Sequence, residues 1–311
     1  MYLGRYLLRR LLYMVPVLLG TTFLIFVAVY ALPGDPVQAI AGPGQPVPPA
    51  VRAAIVAKYH LDDPLLTQYF RYMGRLFTGD FGIDLNQRDV GATIAASWPV
   101  TVKLGLTAWV LGGVIGVTLG TLAGIRAGGV LDTTVLAVTT LILGVPYFVL
   151  AFVAKVVFAV KLGILPPSGI GGGWPKSYIL PGAVLAVFLI PEIARLTRAS
   201  VLGNLRADFV DTAIAKGLRP RTIVVRHVLR NSLLPVVSVL GYSLGYLISG
   251  TVLIEGIFNM PGLGFAIFSG IAQHNGAIVV GISTLLTLVF LILTLVVDIL
   301  YGVLDPRIRL G

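Results

Sequence analysis

The sequence predicts an all-α membrane protein with six transmembrane helices and both termini on the inner side. Three observations carry this. Of the 311 residues, 57% are hydrophobic and only 12% are charged, about half the charge of an average globular chain. The apolar residues fall in long charge-free runs, and the basic residues behind the net charge of +10 sit in the short polar gaps between them. A soluble fold needs charge on its exterior to stay dispersed, so a soluble globule, a disordered chain and a fibrous repeat are excluded. A nucleic-acid-binding role is excluded too, because the positive charge is not gathered on one patch but spread where a membrane protein keeps its cytoplasmic Lys and Arg. The absence of cysteine rules out disulfides and thiolate chemistry. The three histidines, His60, His227 and His274, are too scattered for a metal site.

The charge-free runs are 11–34, 104–125, 133–154, 177–191, 231–254 and 256–297. A helix rises 1.5 Å per residue, so about 20 residues cross the hydrocarbon core. The first three runs and the fifth each hold one span. The fourth extends through Glu192 and Ile193 towards Arg195, and the last is broken by Gly256, Pro261, Gly262, Gly264 and Gly270, leaving a span only over about 277–300. The first run follows Arg9 and Arg10 but exceeds the roughly 7–15 residues of a signal-peptide core, and is expected to be an uncleaved first helix.

With the N-terminus inside, the inner segments hold 14 of the 23 basic residues, among them Arg9, Arg10, Arg126, Arg195, Arg198, Arg206 and Lys216, in line with the positive-inside rule. The outer segment 33–98 is expected to hold two helices, over 48–60 and 63–77. Asp63 would cap the second and Pro64 would open it. Leu66, Tyr69, Phe70, Met73 and Phe77 recur there at helical spacing as one apolar face. The linker 163–176 is rich in Gly and Pro and reads as a rigid turn. The organisation is then a first transmembrane helix over 1–32, an extracytoplasmic helical segment over 33–98, a transmembrane core over 99–303 that includes a cytoplasmic loop at 200–230, and an inner tail at 304–311.

Within the spans, Gly112, Gly116, Gly120 and Gly124 form a stripe that lets another helix approach closely, serving either packing within the chain or a subunit interface or gate. Pro16, Pro146, Pro181 and Pro191 imply kinks or hinges. Ionisable groups at membrane depth are costly and often functional. Glu192 and Asp298 are the candidates, with Lys155 and Lys161 near the outer end of span three. Glu192 lies three residues before Arg195, so either a local ion pair or a place on a solute path is open to it. Tyr242, Ser243 and Ser249 are further polar positions on span five.

The stretch 206–220 is the most informative. Asp208 is placed to cap a short helix with Asp211 in the capping-box position. Phe209, Ala213 and Gly217 align at four-residue steps, with Val210 and Ile214 alongside. Gly217 suits a left-handed terminus and Pro220 forbids continuation. A short amphipathic helix of this kind either lies in the lipid interface or serves as a docking knob.

This segment resembles the EAA loop of membrane subunits of ABC importers, with Asp211-Thr212-Ala213, three residues, then Gly217. Its Asp-Thr-Ala triplet departs from Glu-Ala-Ala in two positions. The chain as a whole is similar to the B-type dipeptide/oligopeptide permease family, through Pro33-Gly34-Asp35-Pro36, Asp63-Pro64-Leu65-Leu66, Gly79-Asp80-Phe81-Gly82, Ala215-Lys216-Gly217-Leu218, Arg230-Asn231-Ser232-Leu233-Leu234-Pro235, the run from Glu255 to Gly264, and Asp305-Pro306-Arg307. The resemblance implies the type I ABC importer transmembrane fold in a bacterial or archaeal inner membrane. It also implies an ATPase-coupling helix carrying Asp208, Phe209, Asp211, Thr212, Ala213, Lys216, Gly217 and Arg219. The chain has no Gly-x-x-x-x-Gly-Lys-[Ser/Thr] loop, so no catalytic residues and no cofactor of its own are expected. ATP and Mg would be held by two partner ATPase subunits, beside a homologous second permease and an extracytoplasmic solute-binding protein. Peptides are the solute expected, with nickel chelates or haem as alternatives in the same machinery. An ion-coupled secondary transporter would show inverted repeats, and none is evident. An intramembrane hydrolase would want paired acids at matched depth, which Asp298 lacks.

Overall fold

The computed structural model describes residues 2–30, 37, 47–59, 62–84 and 87–304. The motifs at 33–36 and 305–307, His60 and the tail beyond 304 lie outside them. Thirteen helices are named here: α1 Tyr2–Tyr30, α2 Pro49–Tyr59, α3 Leu65–Leu76, α4 Val90–Ile125, α5 Val130–Gly144, α6 Tyr147–Lys161, α7 Lys176–Ala186, α8 Leu189–Asn204, α9 Asp208–Ala215, α10 Pro220–Ser249, α11 Thr251–Phe258, α12 Leu263–Ala272 and α13 Gly276–Leu304. Among the described residues the one β feature is an isolated bridge between Ile83 and Asp89.

Four helices are long and apolar enough to cross a bilayer alone: α1 over Leu8–Tyr30, α4, α10, and α13 over Gly276–Ile299. The bent pairs α5–α6, α7–α8 and α11–α12 pass the same test only when each pair is taken together, so the described helices allow four to seven crossings, a range that holds the six predicted. Their bends correct the expectation of plain spans. α5 and α6 meet at 102°, because proline drives its predecessor out of the helical region: Val145 is extended at φ −103°, ψ 125°, and Pro146 opens the next helix. α7 and α8 meet at 61°. Pro191, in the first turn of α8, has no N–H to return to the Val187 carbonyl, which loosens the chain there. The last turns of α6 and the first of α10, at Lys155–Lys161 and Ile223–Val228, are π-helical.

The chain divides into two compact units. The first, 1–101 with 260–295, is built on α3. Tyr69, Tyr72 and Met73 are buried with Phe26 of α1 and Val280 of α13. The Tyr69 hydroxyl sits 2.8 Å from Thr22 Oγ1 and donates to the Leu19 carbonyl, and Tyr72 donates to Thr284 Oγ1 at 2.9 Å. Thr22 and Thr284 lie about two turns from the outer ends of their helices, so α3 lies along the spans rather than standing off in water. The predicted apolar face is therefore corrected: Leu66, Phe70 and Phe77 are exposed at 55%, 61% and 82%, and the buried side is the Tyr69–Tyr72–Met73 face. Asp63 does not cap α3. The helix begins after Pro64, and Asp63 instead pairs with Arg71 at 2.7 Å. At the other end of this unit Asp89 caps α4 through the N–H groups of Gly91 and Ala92, and Thr101 accepts from the Leu263 N–H that opens α12.

The second unit, 102–259 with 296–311, is built on α8. The glycine stripe of α4 faces it. A Cβ at Gly112, Gly116 or Gly124 would come within 2.9 Å of Leu189, Ile193 or Val201. One at Gly120 would meet the Ala194 carbonyl and lie 2.6 Å from Thr197 Cβ. The stripe is thus used for packing within the chain. On the other side α8 meets α10 through Asn204 Nδ2, which donates to Ser232 Oγ at 3.1 Å, and α4 meets α10 where Trp109 Nε1 donates to the Leu240 carbonyl at 2.8 Å.

Gly120→Ala should therefore lower the stability of detergent-solubilised protein by about 1–3 kcal/mol, whereas Gly203→Ala, with open space around the new Cβ, should change it little. Thermal unfolding of both variants measures the difference, and equal midpoints would refute the close approach.

Candidate functional site

The helix α9 is joined to α8 by a three-residue turn and to α10 by the corner 216–219. Its N-terminus differs from expectation. Ala207, extended at φ −89°, ψ 147°, is the capping residue and offers no side-chain bond, so the Asp208–Asp211 capping box does not form. Asp208 is already helical, and both carboxylates lie in the first turn, where they oppose the positive end of the helix dipole. The C-terminus is as the sequence predicts. Gly217 is left-handed at φ 74°, its N–H donates to the Ile214 carbonyl, and the Leu218 N–H donates to Ala213, the paired bonds of a Schellman ending. Pro220 then opens α10 at its first residue.

The apolar side of α9 is spent inside the chain. Val210 and Ala213 are buried with Val201 of α8 and with Ile223 and Val228 of α10, and Phe209 packs against this cluster. What α9 presents outward is its other side: Asp211, Thr212, Ile214, Lys216, Gly217 and Leu218 are exposed, as are Asp208 and Arg219. A lipid-lying helix would turn its apolar side out. This one presents a mixed ridge with two large apolar projections, Ile214, exposed at 59%, and Leu218 just beyond the helix.

Behind α9, α8 is locked by a buried ion pair that the sequence did not signal. Asp132, 2% exposed at the start of α5, takes both Nε and Nη2 of Arg198, the latter at 2.6 Å, and also accepts the Gly128 N–H at 2.8 Å. Such a bidentate pair fixes orientation as well as energy.

Higher on α8 the predicted Glu192–Arg195 ion pair is replaced. Tyr242 of α10 donates to Glu192 Oε1 at 2.6 Å. Arg195 turns the other way and donates to Thr140 Oγ1 at 2.7 Å and to Thr139. The two side chains have nearer partners on different neighbouring helices, which sequence spacing cannot reveal. Both Glu192 and Tyr242 remain exposed. Ser243 is buried and Ser249 half-buried, each bonding a carbonyl of its own helix. Asp298 is half-buried near the inner end of α13.

At the opposite end of the unit, Lys155 Nζ donates to the Ile257 carbonyl at 2.6 Å and lies over the Phe258 ring, while the Gly169 N–H donates to the Phe258 carbonyl at 2.8 Å. A cation and an N–H thus satisfy the last carbonyls of α11, where the dipole is negative. Glu255, within α11, is fully buried. In the sequence it shows only as a break between two apolar runs. Among the described residues no group of His, Asp and Glu is arranged to hold a metal ion.

Two family descriptions match the chain. The binding-protein-dependent transport system inner membrane component covers residues 116–310, and its N-terminal companion covers 3–105. The chain is 38% identical over 307 residues to an oligopeptide transport system permease protein of Salmonella typhimurium, covering 98% of this chain and 99% of that one. It is 36% identical over 312 residues to a dipeptide transport system permease protein of Bacillus subtilis, covering 99% of each. A glutathione transport system permease protein of Salmonella paratyphi A is 34% identical over 98% of both chains.

Arg198→Ala should leave the Asp132 carboxylate buried without its cation and lower both yield and thermal midpoint, while Arg198→Lys should recover part of the loss. Unchanged midpoints for both in detergent would show that the pair contributes nothing.

Proposed function

The chain belongs to the family of binding-protein-dependent transport system inner membrane components, and from that premise we propose that it forms one half of the passage of an ATP-driven peptide importer, coupled through α9 to a separate ATPase. Membership makes it a membrane permease with the type I ABC importer transmembrane fold, working with ATPase and binding-protein partners. The proposal adds the composition, a heterodimer with a homologous permease served by two ATPase subunits that hold ATP and Mg. It also adds the solute: full-length similarity to oligopeptide and dipeptide permeases supports peptides.

The observation that carries the coupling role is the division of labour on α9. Val210 and Ala213 anchor the helix on α8 and α10, and the ridge from Asp211 to Leu218 is left outward. A partner groove seated on that ridge would push on a helix already packed against two spans. ATPase closure would then be felt by α8 and α10 directly. Of the residues named from the resemblance, Ala213 and Phe209 serve as anchors, whereas Asp211, Thr212, Lys216, Gly217 and Arg219 are free to face a partner.

The outer segment is proposed to help seat the binding protein. Because Tyr69, Tyr72 and Met73 form the core of the first unit, removing α3 would test folding rather than docking. The exposed Phe70 and Phe77 are the better probes.

Ile214→Asp and Leu218→Asp change exposed positions and should leave membrane insertion intact while reducing ATPase co-purification and solute uptake at least about tenfold, the scale of losing one buried apolar anchor at an interface. Gly217→Val, which costs about 1–2 kcal/mol in the left-handed region, should reduce uptake with less effect on yield. Full uptake by all three in proteoliposomes would remove α9 from the coupling path.

A further inference from the structure

We infer that Glu192, with Tyr242 and Tyr246, forms a subsite within the membrane for an ammonium group of the passing solute. The inference rests on the importer reading above and adds a place on the passage and the chemistry it selects.

Glu192 is the fourth residue of α8 and falls near the middle of the crossing made by Lys176–Ala186 and Leu189–Asn204. Tyr242 lies seven residues before Ser249, the outer end of α10, or about 10 Å along the helix. The two helices therefore meet well inside the bilayer at this point. An ionisable carboxylate exposed on the chain at that depth is costly against hydrocarbon, so such groups face a bundle interior or a water-filled cavity. The cation nearest in sequence does not neutralise it, since Arg195 is held by Thr139 and Thr140 on α5. Its partner is a neutral phenol, Tyr242, donating at 2.6 Å. Tyr246, one turn further on, interacts with the same carboxylate.

A carboxylate offers about four acceptor positions, and the Tyr242 and Tyr246 hydroxyls take only part of them. The exposed remainder is flanked by two phenol rings. An exposed carboxylate at this depth is the chemistry that recognises an alkylammonium, through charge-assisted hydrogen bonds. The phenol hydrogen bond holds the carboxylate in place without cancelling its charge. A peptide brings at least one ammonium group, and one containing lysine brings two. The subsite thus favours cationic peptides over acidic ones at the membrane step, independently of whatever the binding protein selects.

The test uses the complete importer in proteoliposomes, with its second permease, ATPases and binding protein. Uptake of a lysine–alanine dipeptide is compared with that of a glutamate–alanine dipeptide. Glu192→Gln, which keeps the shape and removes the charge, should lower the cationic-to-acidic uptake ratio about tenfold, as expected for losing one charged contact. Tyr242→Phe should move the ratio the same way by less. An unchanged ratio in both variants would overturn the subsite. So would loss of the second permease from Glu192→Gln preparations, which would assign the carboxylate to a subunit interface. Failure of the unsubstituted importer to take up either dipeptide would instead defeat the peptide reading, and the subsite with it.

Discussion

The close approach of α4 to α8 is the constraint on which the second unit depends. In lipid there is little hydrophobic gain in bringing helices together, so contact must come from shape and from polar pairing. Four glycines on one side of α4 remove every Cβ that would hold α8 away, and Leu189, Ile193, Thr197 and Val201 fill the space. Once α8 is seated at that distance, the rest of its circumference is assigned. Arg198 reaches Asp132, Asn204 reaches Ser232, Val201 supports α9, and Glu192 is left facing outward beside Tyr242. A single helix thus joins the membrane-depth carboxylate to the support of the exposed α9 ridge through about three turns of rigid backbone.

The two ends of the second unit use charge differently. Towards the inner side, Arg198 and Asp132 neutralise one another in a buried pair that orients α8 against the start of α5. At the other end, Lys155 is used against backbone carbonyls, completing the terminus of α11. In both places the charged side chain satisfies a group that lipid or a dry interior would leave unpaired.

Much of this was legible in the sequence, and the failures share a cause. The spans, the glycine stripe and the ending of α9 at Gly217 follow from local rules: length of apolar run, spacing of four, and the freedom of glycine at positive φ. What escaped were partners on other helices. Glu192 and Arg195 are correctly spaced for each other, yet Tyr242 and the Thr139–Thr140 pair are nearer once the bundle is assembled. Asp132 and Arg198 lie far apart in the chain. Asp208 looks like a cap but is one residue inside the helix, and α3 turns a different side inward because Thr22 and Thr284 offer its tyrosines polar partners. Glu255 was visible as the sole charge between two long apolar runs, and that isolation was itself the sign of a buried group.

At the corner between α9 and α10, geometry leaves the backbone little choice. The chain leaves α9 at Lys216, reverses at Gly217 with two backbone hydrogen bonds, and is helical again at Pro220. So few residues, pinned at both sides, have almost no slack. Surface loops usually act as springs that let neighbouring elements drift apart at small cost. This one has the build of a crank: a short corner closed by backbone hydrogen bonds between two helices. Under the proposed coupling through α9, a displacement of the ridge would be handed on to the adjoining span nearly undiminished, and the stiffness of the elbow, more than the affinity of what grips it, would set how faithfully a push outside the bilayer becomes motion within.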